Sequence, residues 1–246
     1  MGTPGGNAAS ELLALWERGA AAGPAERDEA LLAAMNDAPP TLLGARNAAL
    51  LGLRARLFGS AQQLRCTCPR CSAISEFTID CDELSRALVS GIDATRPQLL
   101  EADGHRIEFR VPDIGDLRDA ARLAVDDAGF VQVLLERCVL RCQREDGICS
   151  VPYDLPAPVT EALSRRMETL EPGAIVSFAL ICPECGESWG ATMSVGDTLW
   201  SELQSRAERL LLDVDALARA YGWSEAQILA LTPTRRAAYL QLVGAA

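Results

Sequence analysis

Apolar residues at helical spacing dominate the first sixty positions of the chain. Residues 41–58 carry leucines separated by three, four or seven positions, including Leu43, Leu50, Leu53 and Leu57. That spacing puts the leucines on one face of a helix. Two shorter apolar stretches precede it, and proline pairs or a Gly-Pro step end each of them. Residues 1–60 are therefore predicted to form an N-terminal helical module.

Alternation of apolar and polar residues predicts strands further along the chain. The clearest case is the segment 105–111, whose sequence is HRIEFRV. The stretch from Gly91 to Gly104 shows no consistent period, so it predicts no element. A period of two places successive side chains on opposite faces of a sheet. The other candidate strands form two pairs, residues 61–66 with 73–80 and residues 174–181 with 189–194.

Helical spacing returns between the two strand pairs and again after the second pair. Residues 113–172 are predicted to be a helical insertion, in which one helix follows Asp126-Asp127 and extends to Cys142. The longest predicted helix covers residues 197–221, and two short helices follow Gly222. The fold class is therefore α+β. The predicted domains are residues 1–60, residues 61–200 with the insertion 113–172, and a C-terminal helical segment 197–246.

Each strand pair encloses the same four-residue turn, Cys-Pro-x-Cys. The first turn is Cys68–Cys71 and the second is Cys182–Cys185. Two cysteines separated by two residues can direct both thiolates at one tetrahedral ion, and a structural zinc site needs four such ligands. Each turn is followed by an aromatic-containing strand and by a helix opened by Asp82 or Asp197. We predict two zinc-ribbon-like half-units (strand–CPxC–strand–helix) that share one Zn²⁺ through Cys68, Cys71, Cys182 and Cys185 and are embedded in mostly helical structure.

The other five cysteines leave alternatives open. Cys66 and Cys81 could complete a local four-thiolate site with the first turn, but the second turn would then be left with two ligands. A redox function for either turn would require a strand-to-helix context, which neither turn has. Cys138 and Cys142 lie four residues apart in an apolar pattern and are predicted to be core residues of a helix. Cys149 is predicted to be a free thiol in a loop.

Composition and charge narrow the class of protein. The net charge is −11 and all basic residues are arginines, which argues against binding to nucleic acid or to an anionic membrane. Nine cysteines with no signal peptide favour a reducing cytoplasm, and no apolar run is long enough for a membrane span. The sequence has one histidine, His105, and no nucleotide-binding loop. We therefore predict a protein that is not an enzyme, with no catalytic residues and no small-molecule substrate.

The last forty residues combine aromatic, arginine and leucine side chains on short helices. Such a combination is typical of protein interfaces, although a helical cap on the domain core would have the same composition. Ser224 and Gln227 are spaced for a capping box at the start of one of these helices. The predicted partner-binding residues are Tyr221, Trp223, Arg235, Arg236 and Tyr239.

The order of these motifs resembles the baseplate proteins of phage-tail-like contractile injection systems, a group related to the T-even phage baseplate proteins. The resemblance covers most of the chain. It is most specific from Cys182 to Val243, where Cys-Pro-x-Cys-Gly, Trp189, Tyr221-Gly-Trp223 and Arg235-Arg236-x-x-Tyr239-Leu240 follow in this order. Cys66 and Cys81 are not part of the expected pattern.

The resemblance implies a non-enzymatic component of the baseplate that binds other baseplate and tail proteins in the bacterial cytoplasm. It does not distinguish a protein of the finished particle from a transient assembly chaperone for hub or tape-measure proteins. Both alternatives stay open at this point.

Overall fold

The chain is a mixed structure of helices and short antiparallel sheets. The computed structural model describes residues 4–23, 26–35, 38–89, 91, 93, 96–144, 147–148 and 155–244. The helices are α1 (Pro4–Ala22), α2 (Arg27–Ala33), α3 (Leu43–Phe58), α4 (Cys81–Leu88), α5 (Ile114–Leu123), α6 (Asp127–Cys138), α7 (Ala157–Leu170), α8 (Val195–Tyr221), α9 (Glu225–Leu229) and α10 (Pro233–Gly244). The strands are β1 (Ala61–Thr67), β2 (Ile74–Asp80), β3 (Gln98–Ala102), β4 (His105–Phe109), β5 (Val139–Arg144), β6 (Gly147–Ile148), β7 (Val176–Ile181) and β8 (Ser188–Met193).

The chain divides into two compact units. The first unit joins Met1–Asp37 to Gly196–Ala246, and the second is Ala38–Val195. These boundaries differ from the predicted limits at residues 60 and 200, because the N-terminal helices α1 and α2 group with the C-terminal helices. The division of the chain into three domains therefore remains a prediction.

The first unit is built from helices. Leu13 of α1, Ala207 and Leu210 of α8 and Leu229 of α9 form a buried apolar cluster. Ser224 caps α9 through the predicted capping box with Gln227. Among the described residues, no helix of the protein has both the length and the hydropathy to cross a membrane.

A four-stranded antiparallel sheet lies in the second unit, in the order β3-β4-β5-β6. Its inner face contributes Ile107, Phe109 and Cys142 to an apolar core that is closed by Val159 and Leu163 of α7. The sequence predicted β4 alone. The prediction of a helix through Cys142 is wrong, because α6 ends at Cys138 and β5 begins at the next residue. The segment 113–172 therefore contains strands as well as helices.

A β-bulge explains the incorrect helix prediction. In the β4–β5 pairing, Glu108 lies opposite Arg141 while Phe109 lies opposite Val139, so Leu140 is an extra residue on β5. The bulge breaks the period of two and leaves Val139 and Cys142 as the buried residues of the strand. A spacing of three between buried residues is also the signature of a helix face. The predicted core location of Cys138 and Cys142 is confirmed, since both are buried.

Two hairpins, β1–β2 and β7–β8, make up the remaining sheets of the described structure. The rings of Phe77 on β2 and Phe178 on β7 meet edge to face with centroids 5.4 Å apart, so the hairpins stack on each other. Helix α4 follows β2 and α8 follows β8, as predicted. The predicted caps differ, because Asp80 caps α4 through the N–H groups of residues 82 and 83, and α8 begins at Val195 instead of Asp197.

Backbone segments meet without side chains between them where α3, α4 and the 3-10 turn Pro172–Ala174 come together. Helix α3 leads into β1, α4 leaves β2, and the 3-10 turn Pro172–Ala174 leads into β7. A Cβ at Gly44 would lie 2.8 Å from the carbonyl oxygen of Leu88, and a Cβ at Gly173 would overlap the same oxygen. Asn47 donates a hydrogen bond of 2.9 Å to the carbonyl of Gly173. This glycine junction (Gly44, Leu88 and Gly173) holds α3, α4 and the 3-10 turn before β7 close together.

The buried carboxylate of Asp116 holds three elements of the second unit together. It is 1% exposed and accepts hydrogen bonds from both Nη atoms of Arg110, at 2.5 and 2.8 Å, and from Nε of Arg137, at 2.8 Å. It also accepts from the backbone N–H of Asp113 in a capping box. Burial raises the pKa of Asp116, but these hydrogen bonds outweigh burial and hold that pKa well below its usual value.

Replacement of Asp116 by asparagine is expected to destabilise the protein by about 3 kcal/mol at pH 7. This value is at the low end of the cost of breaking a buried ion pair, because both arginines keep contact with water. Since the folded-state pKa is depressed, the stabilisation by Asp116 is present above pH ~4 and is lost as the pH falls below that value. Urea unfolding of the wild type and the variant from pH 7 to pH 3 measures this, and the difference should shrink in acid. Asp119→Asn, at a more exposed partner of Arg137, is the control with a smaller expected effect. A difference that is constant with pH would contradict the assignment.

Candidate metal centre

The two hairpins correspond residue by residue around their Cys-Pro-x-Cys turns. Cys68 corresponds to Cys182 and Cys71 to Cys185, each pair of cysteines lying at the end of a hairpin. In the first turn, the N–H of the first cysteine donates to the carbonyl five residues later, and the N–H of the residue after the second cysteine donates back. The second turn repeats both bonds at the same lengths, 2.8 and 3.0 Å (Cys68 to Ala73 and Ser72 to Cys68; Cys182 to Glu187 and Gly186 to Cys182).

The residue that follows each second cysteine adopts a left-handed backbone conformation. Gly186 has φ of 71°, and the corresponding Ser72 has φ of 60°. Glycine takes this conformation without a steric penalty, whereas a residue with a Cβ is strained by about 1 kcal/mol. The first turn therefore carries a strain that the second turn avoids.

Ser72→Gly is expected to stabilise the metal-loaded protein by up to about 1 kcal/mol, since glycine removes the strain but also loosens the unfolded chain. Urea unfolding with metal present measures the change. Gly186→Ser is the matched control and should lower the stability by a comparable amount. If both substitutions changed the stability by the same amount in the same direction, the left-handed turn conformation would not be the cause of the change.

All four turn cysteines meet at one point between the hairpins. Their Sγ atoms lie within 4.8 Å of one another, with Cys68 and Cys185 at 3.7 Å and Cys71 and Cys182 at 3.6 Å. Four sulfurs at about 2.3 Å from a tetrahedral zinc ion would be separated by about 3.8 Å. Disulfide bonding would require about 2 Å. The arrangement therefore fits ligation of one metal ion by four thiolates.

The ionisation of the Cys68 and Cys185 thiols depends on burial, on backbone hydrogen bonds and on the neighbouring cysteines. Burial raises the pKa of Cys68, but hydrogen bonds from the backbone N–H groups of Cys71 and Arg70 outweigh it and lower that pKa to about 7. For Cys185, a hydrogen bond from the N–H of Glu187 lowers the pKa, but burial and the neighbouring cysteines raise it to about 12. Thiols this close do not all ionise by themselves, whereas a divalent cation favours the thiolate form of each ligand.

The surroundings of the cluster differ between its two sides. Arg70 of the first turn lies 3.5 Å from Glu187 beside the second turn, an exposed ion pair that contributes little. Cys68 and Cys182 are both buried, each with 1% exposure, while Cys71 is exposed. One side of the cluster thus faces the protein and the other faces solvent.

The structure brings the paired turns together and separates the cysteines of the alternative local site. Among the described residues, the group of four that could hold a metal contains neither Cys66 nor Cys81. Cys81 is fully buried, and its thiol lies 3.3 Å from Oε1 of Gln62. His105 is also buried, with Nδ1 2.8 Å from the carbonyl oxygen of Asp103. Cys149 lies outside the described residues.

The predicted partner-binding residues lie in the first unit, and their three aromatic rings are in contact. The rings of Tyr221 and Trp223 stack with centroids 4.7 Å apart, and Tyr239 meets Trp223 edge to face at 4.9 Å. Arg236 is ion-paired with Asp213 at 3.3 Å. Arg235 is exposed. These geometries show where the residues are and leave their role in binding a prediction.

Comparison with known proteins does not assign a function to this chain. No family model matches it, and no curated protein and no solved structure matches it either. The chemistry of the site therefore rests on the geometry of its own residues. That geometry supports metal ligation at the four turn cysteines and does not identify the metal.

Proposed function

We propose that Cys68, Cys71, Cys182 and Cys185 bind one Zn²⁺ ion with a structural role. The observation that carries this proposal is the convergence of four sulfurs from two separate hairpins within 4.8 Å of one another. A tetrahedral set of four thiolates selects zinc or iron over harder cations. Four protein ligands also leave no coordination position for a water or a substrate, so the ion would stabilise the fold and would not catalyse a reaction.

Metal analysis of the protein purified without oxygen tests the identity of the ion. Inductively coupled plasma mass spectrometry should find about one zinc ion per chain. An iron content of one per chain with a thiolate-to-iron absorption band would contradict the choice of zinc and would leave the ligand set intact.

We propose further that the protein is a non-enzymatic component of the baseplate of a contractile, phage-tail-like injection system, assembled in the bacterial cytoplasm. The support is the order of motifs from the Cys182–Cys185 turn to Arg235-Arg236-x-x-Tyr239-Leu240, which resembles proteins of that class. Other baseplate and tail proteins would be its partners. A transient chaperone of baseplate assembly is the second candidate, since the same motifs would fit it.

The C-terminal helices are the proposed contact with those partners. Helix α10 has no buried residue, and Leu242 on it is 60% exposed. Tyr221, at the end of α8, is 39% exposed beside the ring of Trp223. Aromatic and arginine side chains at a half-exposed position are typical of interface anchors.

Quantitative mass spectrometry of assembled particles from the source cell is the experiment that tests the assignment. A fixed ratio of this chain to the sheath protein would support the structural role. Absence from particles that nevertheless fail to form in a deletion strain would favour the chaperone. Particles that form normally in the deletion strain would contradict both candidates.

A further inference from the structure

The two corresponding hairpins differ in the charge of their outer faces. On the first hairpin, Arg65 and Glu76 are register partners across the strands and form an exposed ion pair of 2.9 Å. Counting outward from the cysteine turns, the corresponding residues of the second hairpin are Ala179 and Gly190. These two are also register partners. The second hairpin therefore lacks the charged pair at the position where the first hairpin has it.

Neither strand of the second hairpin contains a charged residue. Its outward side chains are small or apolar, and Ile181 is 72% exposed at the end of β7. Ile175, just before β7, is 62% exposed. The outward residues are Ser177, Ala179 and Ile181 on β7 and Ser188, Gly190 and Thr192 on β8.

The edge of β7 is a suitable template for another strand. Within the described ranges, β7 pairs with β8 on one side and with no strand on the other. Proteins usually protect such an edge with charges, a proline or a bulge, and Val176–Ile181 has none of these. The sequence Val-Ser-Phe-Ala-Leu-Ile also has high β-propensity, whereas β8 is interrupted by Gly190.

We propose that the β7 edge pairs antiparallel with β7 of a second copy of this chain, joining two hairpins into one four-stranded sheet. Pairing centred on Ala179 puts Phe178 opposite the partner's Leu180 and Ser177 opposite the partner's Ile181. Apolar residues then meet on the inner face, and no like charges face each other. The same pairing is self-complementary, as a twofold dimer requires.

The absence of charge on β7 supports a second copy as the occupant, and the net charge of the chain predicts how the association responds to salt. An edge without charges fits a strand without charges, and β7 is itself such a strand. The whole chain carries a net charge of −11, so two copies repel each other at long range. Salt screens that repulsion and does not weaken backbone hydrogen bonding between uncharged strands. The contact involves five residues of β7 per copy, so the dimer is weak and forms in a concentration-dependent manner.

Sedimentation equilibrium of the full-length, metal-loaded protein tests the proposal. We expect a monomer–dimer equilibrium that shifts toward the dimer as the salt concentration is raised. The double variant Ala179→Arg/Gly190→Glu transfers the ion pair of the first hairpin to the second and should raise the dimer dissociation constant at least tenfold. A Cβ at Gly190 meets no atom within 4 Å, so the variant should keep its metal content and melting temperature.

The matched control is the reverse exchange, Arg65→Ala/Glu76→Gly, which alters the first hairpin at the corresponding positions and should leave the dissociation constant unchanged. A monomer at every concentration and salt level would overturn the proposal. A dimer that persists in the double variant, or that weakens as salt is added, would place self-association at another, charged surface and would overturn it as well.

Discussion

Replacement of Cys182 by serine is expected to abolish metal binding and to leave the unit Ala38–Val195 without a cooperative fold. Structural zinc contributes about 10–16 kcal/mol of apparent binding free energy in small zinc domains, and a typical domain is stable by only about 5–15 kcal/mol. A serine hydroxyl is a poor substitute for the buried thiolate of Cys182, which is 1% exposed. Metal analysis together with thermal unfolding followed by circular dichroism measures both effects.

Cys66→Ser is the matched control for this experiment. Cys66 is two residues from Cys68 but lies outside the group of four sulfurs. The control should retain about one metal ion per chain and a cooperative transition. Metal loss in the control with retention in Cys182→Ser would support a local site around the first turn instead. A Cys182→Ser protein that keeps its ion and unfolds cooperatively would contradict the proposed ligand set.

Gly173→Ala is expected to destabilise the second unit by about 3 kcal/mol or more. The added methyl group would overlap the carbonyl oxygen of Leu88, and neither can rotate away because the backbone fixes both positions. The glycine junction would have to open, and the 3-10 turn before β7 would then move away from α3 and α4. Urea unfolding with excess metal measures the loss of stability, and metal titration shows whether the affinity falls with it.

Gly52→Ala serves as the control, because a Cβ at Gly52 meets no atom within 4 Å in the middle of α3. That substitution should be neutral or stabilising by up to about 1 kcal/mol, through the higher helix propensity of alanine. A Gly173→Ala protein as stable as the Gly52→Ala protein would show that the junction can widen at little cost.

Local patterns predicted the hairpins and the cysteine cluster well. A Cys-Pro-x-Cys turn between two alternating segments carries its own geometry, so each turn could be assigned without knowledge of the rest of the chain. The pairing of the two turns followed from the number of ligands that a structural ion requires. The exclusion of Cys66 and Cys81 from the group could not be derived in this way, since it depends on the stacking of the hairpins.

The prediction missed two longer strands of the four-stranded sheet, β5 and β3. The bulge at Leu140 gave β5 the spacing of a helix. Strand β3 precedes a two-residue turn, Asp103-Gly104, whose positive φ angles of 46° and 72° are those of a hairpin turn. The Asp-Gly pair was the available signal for that hairpin. No sequence pattern indicated that Asp116 would be buried and ion-paired, because an aspartate in the first turn of a helix is usually exposed.

The separation of the two turns along the chain determines when the metal can be captured. Cys71 and Cys182 are 111 residues apart, and the four-stranded sheet lies between them in sequence. During synthesis, the first hairpin leaves the ribosome with two of the four cysteines, before the other two are made. Closing a loop of this length confines the unfolded chain by about 4–5 kcal/mol of entropy. Full tetrahedral coordination of the proposed ion would therefore be completed late in folding, and premature termination before Cys182 would release a fragment that holds only half of the proposed ligand set.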